Sequence, residues 1–577
     1  MYRYLYFITL QLFVASCGES PPSLQQQIPQ IETRPPAAIR FVDVAAQVGI
    51  EWRHDNGASL HKYFPETMSG GGAFIDYDGD GDLDIYALNG GRLDAEQSAR
   101  PANALFRNDG GHFEEIGAQL GVEDRGYSMG VAAGDIDSDG DLDLYITNFG
   151  SNTMLRNDGN GFADISITST TNDSLWGSSC AFADYDRDGD IDLYVANYVR
   201  YSLIDAETNT VPYMAEHESY KGAVQKGYPH PANFSGSPDR LFRNDGNGFF
   251  TETAEQAGIY DADGKGLGIV FADYDRDGWP DIYIANDAVR NYLYHNKGNG
   301  TFVEGASLSG VAYGQDGQME AGMGVDWGDY DGDSLLDLTV TNFQAEPNSL
   351  YHNEGGQFFA VETFTSGTGM VSLPFLGFGT QFLDYDHDGD LDLFTANGHV
   401  LDNVNLIDHS TQYEQRNLLF RNDGSNQTGN VRFSEVGAEA GMILEKVSRG
   451  SATGDYDDDG DADLLIFNVG QELSLLRNDG GAQAANWLWV RLVGQTSNRD
   501  GIGARLVLSA QGKEQTREVR GSRSYLSQSD LRVHFGIGAK EADWLEVHWP
   551  SGLIERVTNI IANSSLTLVE GEGEAVD

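Results

Sequence analysis

Two cysteines in 577 residues leave no disulfide framework, so any extracellular stability has to come from another source. Cys180 stands alone in an apolar stretch and reads as a small buried residue. Basic residues are scarce, 36 Lys+Arg against 89 Asp+Glu, for a formal charge of −53. No basic patch can meet phosphates, which argues against a nucleic-acid partner. Beyond the first residues no apolar run is long enough to span a bilayer. No phosphate loop, CxxC pair or Ser/His/Asp order stands out, so no motif indicates an enzyme class.

What the chain does have is one acidic loop repeated seven times. The first copy carries Asp76, Asp78, Asp80 and Asp84, the second Asp135, Asp137, Asp139 and Asp143, and the third Asp184, Asp186, Asp188 and Asp192. The fourth carries Asp273, Asp275, Asp277 and Asp281, and the fifth Asp329, Asp331, Asp333 and Asp337. The sixth carries Asp384, Asp386, Asp388 and Asp392, and the seventh Asp455, Asp457, Asp459 and Asp463. Carboxylates at positions 1, 3, 5 and 9 of a short turn can converge on one hard divalent cation. Position 6 is Gly in six copies and Ser334 in the fifth. Position 4 varies among Gly79, Ser138, Arg187, Arg276, Gly332, His387 and Asp458, and is expected to face water. The EF-hand is excluded, because its position-12 Glu is replaced here by Ala87, Ile146, Val195, Ile284, Val340, Thr395 or Ile466. A short β-branched and aromatic run follows each loop, so the loop is the bend of a β-hairpin.

Each loop sits in a longer unit. A Gly-rich apolar strand precedes it, Asn recurs at position 14, and turns such as Asn108-Asp-Gly lead into a fourth strand. Four antiparallel strands repeated seven times predict an all-β chain with a seven-bladed β-propeller over 39–482. The seventh unit lacks its fourth strand, while an unpaired one begins at Phe41. The N-terminal strand is therefore expected to complete the last blade and close the ring.

The loops and the Gly-rich strands before them resemble the FG-GAP (VCBS) repeats of integrin α-chain propellers. That resemblance implies calcium, up to seven ions. The donor set agrees, since carboxylates and carbonyls without His or Cys suit Ca²⁺ better than zinc or copper. Residues 484–571 form a smaller β-rich unit containing Trp487-Leu-Trp-Val-Arg-Leu-Val, Asn498-Arg-Asp-Gly-Ile-Gly-Ala-Arg505 and Leu545-Glu-Val-His-Trp-Pro-Ser-Gly552. It is similar to the ASPIC/UnbV domain. Together the two parts resemble the family that includes cartilage acidic protein and bacterial secreted homologues. Arg505, Tyr525, Gln528 and His534 are expected to pack this unit against the propeller.

At the N-terminus, residues 1–17 read as an export signal ending in Val14-Ala-Ser-Cys17, similar to a bacterial lipobox. Cys17 is the expected lipidation site; with Arg3 the only basic residue before the apolar run, cleavage without lipid also fits. Residues 18–38 read as a flexible tether. The expected location is the outer membrane or the exterior, with membrane contact only through the lipid.

The metal loops keep one length while the loops on the opposite face vary, so ligand recognition is expected on that opposite face. Its candidates are Arg92, Phe149, Trp176, Tyr198, Arg200, Asp287, Arg290, Phe343 and His399. The reading that follows is a calcium-binding, non-catalytic adhesion or binding protein of the cell surface with a glycan or protein ligand. The alternative is a secreted lyase- or dehydratase-like enzyme with a site in the propeller funnel, for which a cluster of His54, His61 and His399 would be the sign. A structural role in an outer-membrane assembly is the third.

Overall fold

The apolar runs between the Gly-rich segments and the Asn-Asp-Gly turns form seven blades of four antiparallel strands, six as separate sheets and the first within a six-stranded sheet. The structure is a computed structural model and describes residues 39–203, 212–214, 224–425, 431–481 and 485–576. The signal, Cys17 and the tether lie outside the described residues. Blade 4 shows the pattern, with Gly266–Ala272, Asp281–Asn286, Tyr292–Asn296 and Phe302–Glu304 paired in sequence order. The metal loop is the hairpin between its first and second strands.

In the last blade Ser448–Gly454, Asp463–Asn468 and Ser474–Asp479 are joined by Arg40–Asp43, which pairs antiparallel with the outermost of them. Phe41 packs there with Leu464, Ile466 and Leu476. The N-terminal strand thus closes the ring, and no β-edge is left at the seam.

A second closure is written in the turns. Asn108, Asn157, Asn244, Asn296, Asn353, Asn422 and Asn478 each donate a side-chain N–H to the backbone carbonyl at position 2 of the preceding blade's metal loop, at 2.8–2.9 Å. Asn108 of blade 1 reaches Tyr456 of blade 7, so the seven bonds run full circle. The Asn that sets each turn therefore also ties neighbouring blades together.

The C-terminal unit has a three-stranded and a five-stranded sheet sharing a core of Leu488, Val490, Leu506, Leu508, Phe535 and Leu545. Residues 521–530 leave this unit and enter the propeller axis. Ser527–Gln528 pairs in parallel with the first strand of blade 1, Gly72–Ile75. Ser524 exchanges backbone hydrogen bonds with Val325 of blade 5 at 2.8 and 2.9 Å. The Ser524 hydroxyl accepts from Thr380 N of blade 6 and meets Ser451 of blade 7 at 2.9 Å. Leu526 N donates to Ser179 of blade 3 at 3.1 Å. The Gly-rich first strands are what admit this hairpin: a Cβ on Gly71 would lie 2.2 Å from the Leu526 carbonyl oxygen. At the tip Tyr525 is fully buried, and its hydroxyl donates to Met68 O at 2.9 Å on the far side of the ring.

Deleting residues 39–50 is expected to lower the melting temperature sharply, and Phe41→Ala alone is expected to destabilise by about 3–5 kcal/mol. Thermal unfolding followed by circular dichroism checks both; a melting curve unchanged by the deletion would contradict closure by this strand.

Candidate metal centres and the opposite face

Each acidic loop is held by its own backbone before any ion is considered. In loop 2 Asp135 accepts from Asp139 N and Gly140 N at 3.1 and 2.9 Å, and Asp143 accepts from Ile136 N and Asn157 N at 2.9 and 2.7 Å. The same arrangement of the position-9 carboxylate recurs in loop 1 with Asp84 and in loop 7 with Asp463. Position 9 is buried in every loop. Position 4 is left-handed in all seven loops, including the non-glycine residues Ser138, Arg187, Arg276, His387 and Asp458. Ser334 also adopts a left-handed angle, φ 75°, where the other six copies place glycine.

Carboxylate oxygens converge in these loops. Asp76, Asp78 and Asp80 bring ligand atoms within 4.8 Å of one another, as do Asp135, Asp137 and Asp143, and Asp184, Asp186 and Asp192. Buried oxygens of Asp76, Asp137, Asp186, Asp273, Asp281, Asp384 and Asp457 have no hydrogen-bond partner among the described residues. Six of the seven loops are represented in that set. A buried carboxylate oxygen without a donor is unfavourable unless a cation meets it, so the residues present fit a hard divalent ion.

Burial drives the titration of these groups. It pushes Asp84, Asp143, Asp337 and Asp455 up to about 8, with nearby loop carboxylates adding to the effect. Asp184 and Asp329 rise to about 7 for the same reasons.

Two loops differ. The residue before the turn Asn is Arg in five blades but His295 and His352 in blades 4 and 5. His295 Nδ1 lies 3.3 Å from both Asp275 and Asp281, and His352 Nδ1 lies 3.4 Å from Asp331 and 3.1 Å from Asp337. Sequence reasoning missed these histidines. The signal was available, because the same two loops carry Trp279 and Leu335 at position 7 where the others carry Asp.

Position 4 does not face water throughout. His387 is fully buried, its ring tilted against that of His534 of the C-terminal unit with centroids 4.9 Å apart, and Arg187 donates to Pro550 O. The reason is that the C-terminal unit sits on the metal-loop face. Arg491 pairs with Asp76 at 3.1 Å, Asp500 accepts from Asp135 N, Gly536 N donates to Asp384, and Arg532 donates to Asp455 O. Gln528 and Tyr525 serve the axis hairpin, and burial raises the Asp273 carboxyl to about 6, with the nearby Arg505 guanidinium opposing that rise.

On the opposite face the nine residues expected to meet a ligand divide. Trp176, Tyr198 and His399 are buried, and the expectation that they present rings to a ligand is corrected. Phe64, from the segment before blade 1, packs its ring 5.6 Å from both Trp176 and Tyr198 and fills the funnel from above. Phe149 leans edge-on against Trp176, and Phe343 against His399. Arg92 is exposed and paired with Asp94, Arg290 lies over Tyr292 and is 2.8 Å from Glu304, and Arg200 is exposed. Asp287 is buried, with Tyr198 donating its hydroxyl to it. Tyr198, Asp287 and Phe343 line one pocket of about 160 Å³. Each of the three histidines has a partner of its own: His54 accepts from Gly470 N, His61 stacks on Tyr63, and His399 accepts from Leu401 N. Burial and the Arg449 guanidinium hold His54 and His399 at about 3, in the neutral form.

Residues 76–146, 135–195, 232–284, 273–340 and 329–395 match the FG-GAP-like repeat, and residues 494–575 match the ASPIC and UnbV domain. The chain belongs to the FG-GAP repeat proteins that carry a C-terminal ASPIC and UnbV domain. Human cartilage acidic protein 1 is 28% identical over 304 residues, 50% of this chain and 41% of that protein. The Xenopus tropicalis protein of the same name is 28% identical over 281 residues, 48% of this chain and 40% of that one. The matched stretch thus covers about two-fifths of these relatives' own length. Among solved structures an Agrocybe aegerita lectin aligns with a TM-score of 0.32 at 14% identity, covering 69% of this chain and 88% of that one, a likeness that carries no argument.

The pH dependence of the metal-free protein follows from the buried aspartates. Their folded-state values lie above the ordinary carboxylate range, so the folded form binds more protons than the unfolded one, and stability is lost as pH rises toward about 8. With EDTA present the melting temperature is expected to be lower at about pH 8 than at about pH 5.5, and saturating calcium is expected to abolish or reverse that difference. A flat profile in EDTA, measured by scanning calorimetry, would contradict the account. Ser334→Gly is expected to raise stability by up to about 1 kcal/mol by relieving a left-handed side chain, and an unchanged or lower melting temperature would contradict the strain.

Proposed function

We propose that the chain is a calcium-binding, non-catalytic binding protein of the cell surface that recognises a glycan or protein ligand on the face opposite the metal loops. The unpartnered buried carboxylate oxygens carry the calcium assignment. Positions 1, 3, 5 and 9 of each loop would hold the ion, which would supply the counter-charge that lets 33 loop aspartates at positions 1, 3, 5, 7 and 9 stay ionised. The ions would stiffen one rim and leave the other for recognition.

Three features support binding over catalysis. Among the described residues the axis is occupied by residues 521–530 from one side and by Phe64 and Met68 from the other, where an enzymatic funnel would have to open. Of the three histidines that would mark such a site, His54 and His399 are buried and held neutral. The metal-loop face is covered by the C-terminal unit, so the variable loops of the other face are the accessible rim. Export, with either a lipid on Cys17 or release, belongs to the same proposal. Among the described residues no helix is long and apolar enough to cross a membrane.

Calcium is expected to raise the melting temperature of the purified chain strongly, with EDTA reversing the shift; no shift would overturn the calcium assignment. Glycan and peptide arrays probed with and without calcium test the recognition surface. A signal that needs calcium and is lost on substituting exposed residues of the variable face, such as Arg92 and Arg200, supports it, and turnover of a bound glycan would overturn the non-catalytic reading.

A further inference from the structure

The pocket on the variable face has a chemistry of its own. It lies where the loops after the second strands of blades 3 to 6 meet the segment around Phe64 and Met68. Its lining includes the aromatic residues Phe64, Tyr228 and Phe343 and the acids Asp287 and Glu346, with Tyr198 fully buried behind Asp287.

The two acids are built in. Asp287 is buried, and Tyr198 donates its hydroxyl to one carboxylate oxygen, Oδ2. Glu346 accepts from Ala321 N at 2.8 Å. Burial raises both carboxyls, Asp287 to about 6. Lys265, which acts on Asp287 electrostatically, donates its Nζ to Pro231 O at 2.9 Å, and the Lys62 ammonium lies 4.7 Å from the Tyr228 ring centroid. At the pocket floor the ring of Phe378 already carries one cation, the Arg449 guanidinium 3.9 Å from its centroid.

A small, acid-lined cavity with aromatic walls suits a compact organic cation, whose charge is met by the carboxylates and whose carbon surface is met by the rings. We propose that this pocket binds an alkylammonium group, either a free quaternary amine or the side chain of a lysine in a protein ligand. The proposal rests on the variable face being the recognition surface and specifies the chemistry it reads. Neutral sugars fit less well, because a hydroxyl offers the two carboxyls no counter-charge and offers the rings less apolar surface than an alkylammonium group does.

Isothermal titration of the calcium-loaded full chain tests this. Choline is compared with 3,3-dimethylbutanol, its neutral carbon isostere, and Nα-acetyl-lysine methylamide with a lysine-containing peptide. Choline or the lysine amide is expected to bind at least about tenfold more tightly than the neutral isostere. The preference is expected to be lost in Asp287→Asn and weakened in Glu346→Gln, with Asp94→Asn on the exposed rim as the control. Preference for choline over both lysine probes assigns a free amine, and the reverse assigns a protein lysine. Equal or absent binding of charged and neutral probes by the wild-type chain overturns the proposal whatever the variants do. If array binding on the variable face persists in that case, the recognition surface stands and only its ammonium chemistry falls; if both are lost, the broader reading falls too.

Discussion

The molecule depends on bringing carboxylates together out of water. Four aspartates at alternating positions of a nine-residue hairpin, seven times around a ring, place like charges at distances that water and backbone amides alone do not offset. Loop geometry supplies part of the compensation. The position-1 and position-9 carboxylates each take two backbone N–H groups in loop 2, and the same pattern recurs in loops 3, 5 and 7. The remaining oxygens, buried and without donors, define where a cation belongs.

From that constraint the rest of the architecture follows. The position-9 aspartate accepts from the backbone of the turn asparagine, and that asparagine's side chain reaches the preceding blade's loop. Metal loop, turn and neighbouring blade therefore form one chain of contacts, and the order of one loop is transmitted to the next. The C-terminal unit exploits the same face. Its Arg491 and Arg532, together with the Gly536 amide, meet loop groups, and its hairpin runs up the axis to touch Met68 on the other side. The unit is thus a structural part of the propeller: it contacts the acidic rim, where Asp78, Asp80 and Asp139 stay exposed, and inserts its hairpin along the axis. What stays accessible is the rim with variable loops, where the pocket around Asp287 lies.

Much of this was legible in the chain because the determinants are local. Ligand spacing within nine residues, Asn-Asp-Gly turns and an orphan strand at Phe41 each report on neighbours or on a missing partner, and they led to the hairpin metal loops, the blade count and the ring closure. The parts that were not legible depend on distant packing. Gly521-Ser-Arg-Ser-Tyr-Leu-Ser reads as an ordinary loop, yet Ser524 meets Val325, Thr380 and Ser451 in three different blades. Trp176 and Tyr198 sit on the predicted face, but nothing in their own loops says that Phe64 will cover them. His387 and Arg187 occupy a variable position that looks solvated in the sequence and becomes an interface only once the C-terminal unit is placed over it. Asp287 and Phe343 lie in separate blades, and only the ring brings them to one pocket.

The central claim is that seven hairpin loops hold calcium ions as part of the folded structure. Elemental analysis of the chain after exhaustive dialysis against metal-free buffer, without chelator, measures it directly. The account predicts calcium retained at a stoichiometry approaching one ion for each of the seven loops. A fully folded chain retaining no calcium would contradict it.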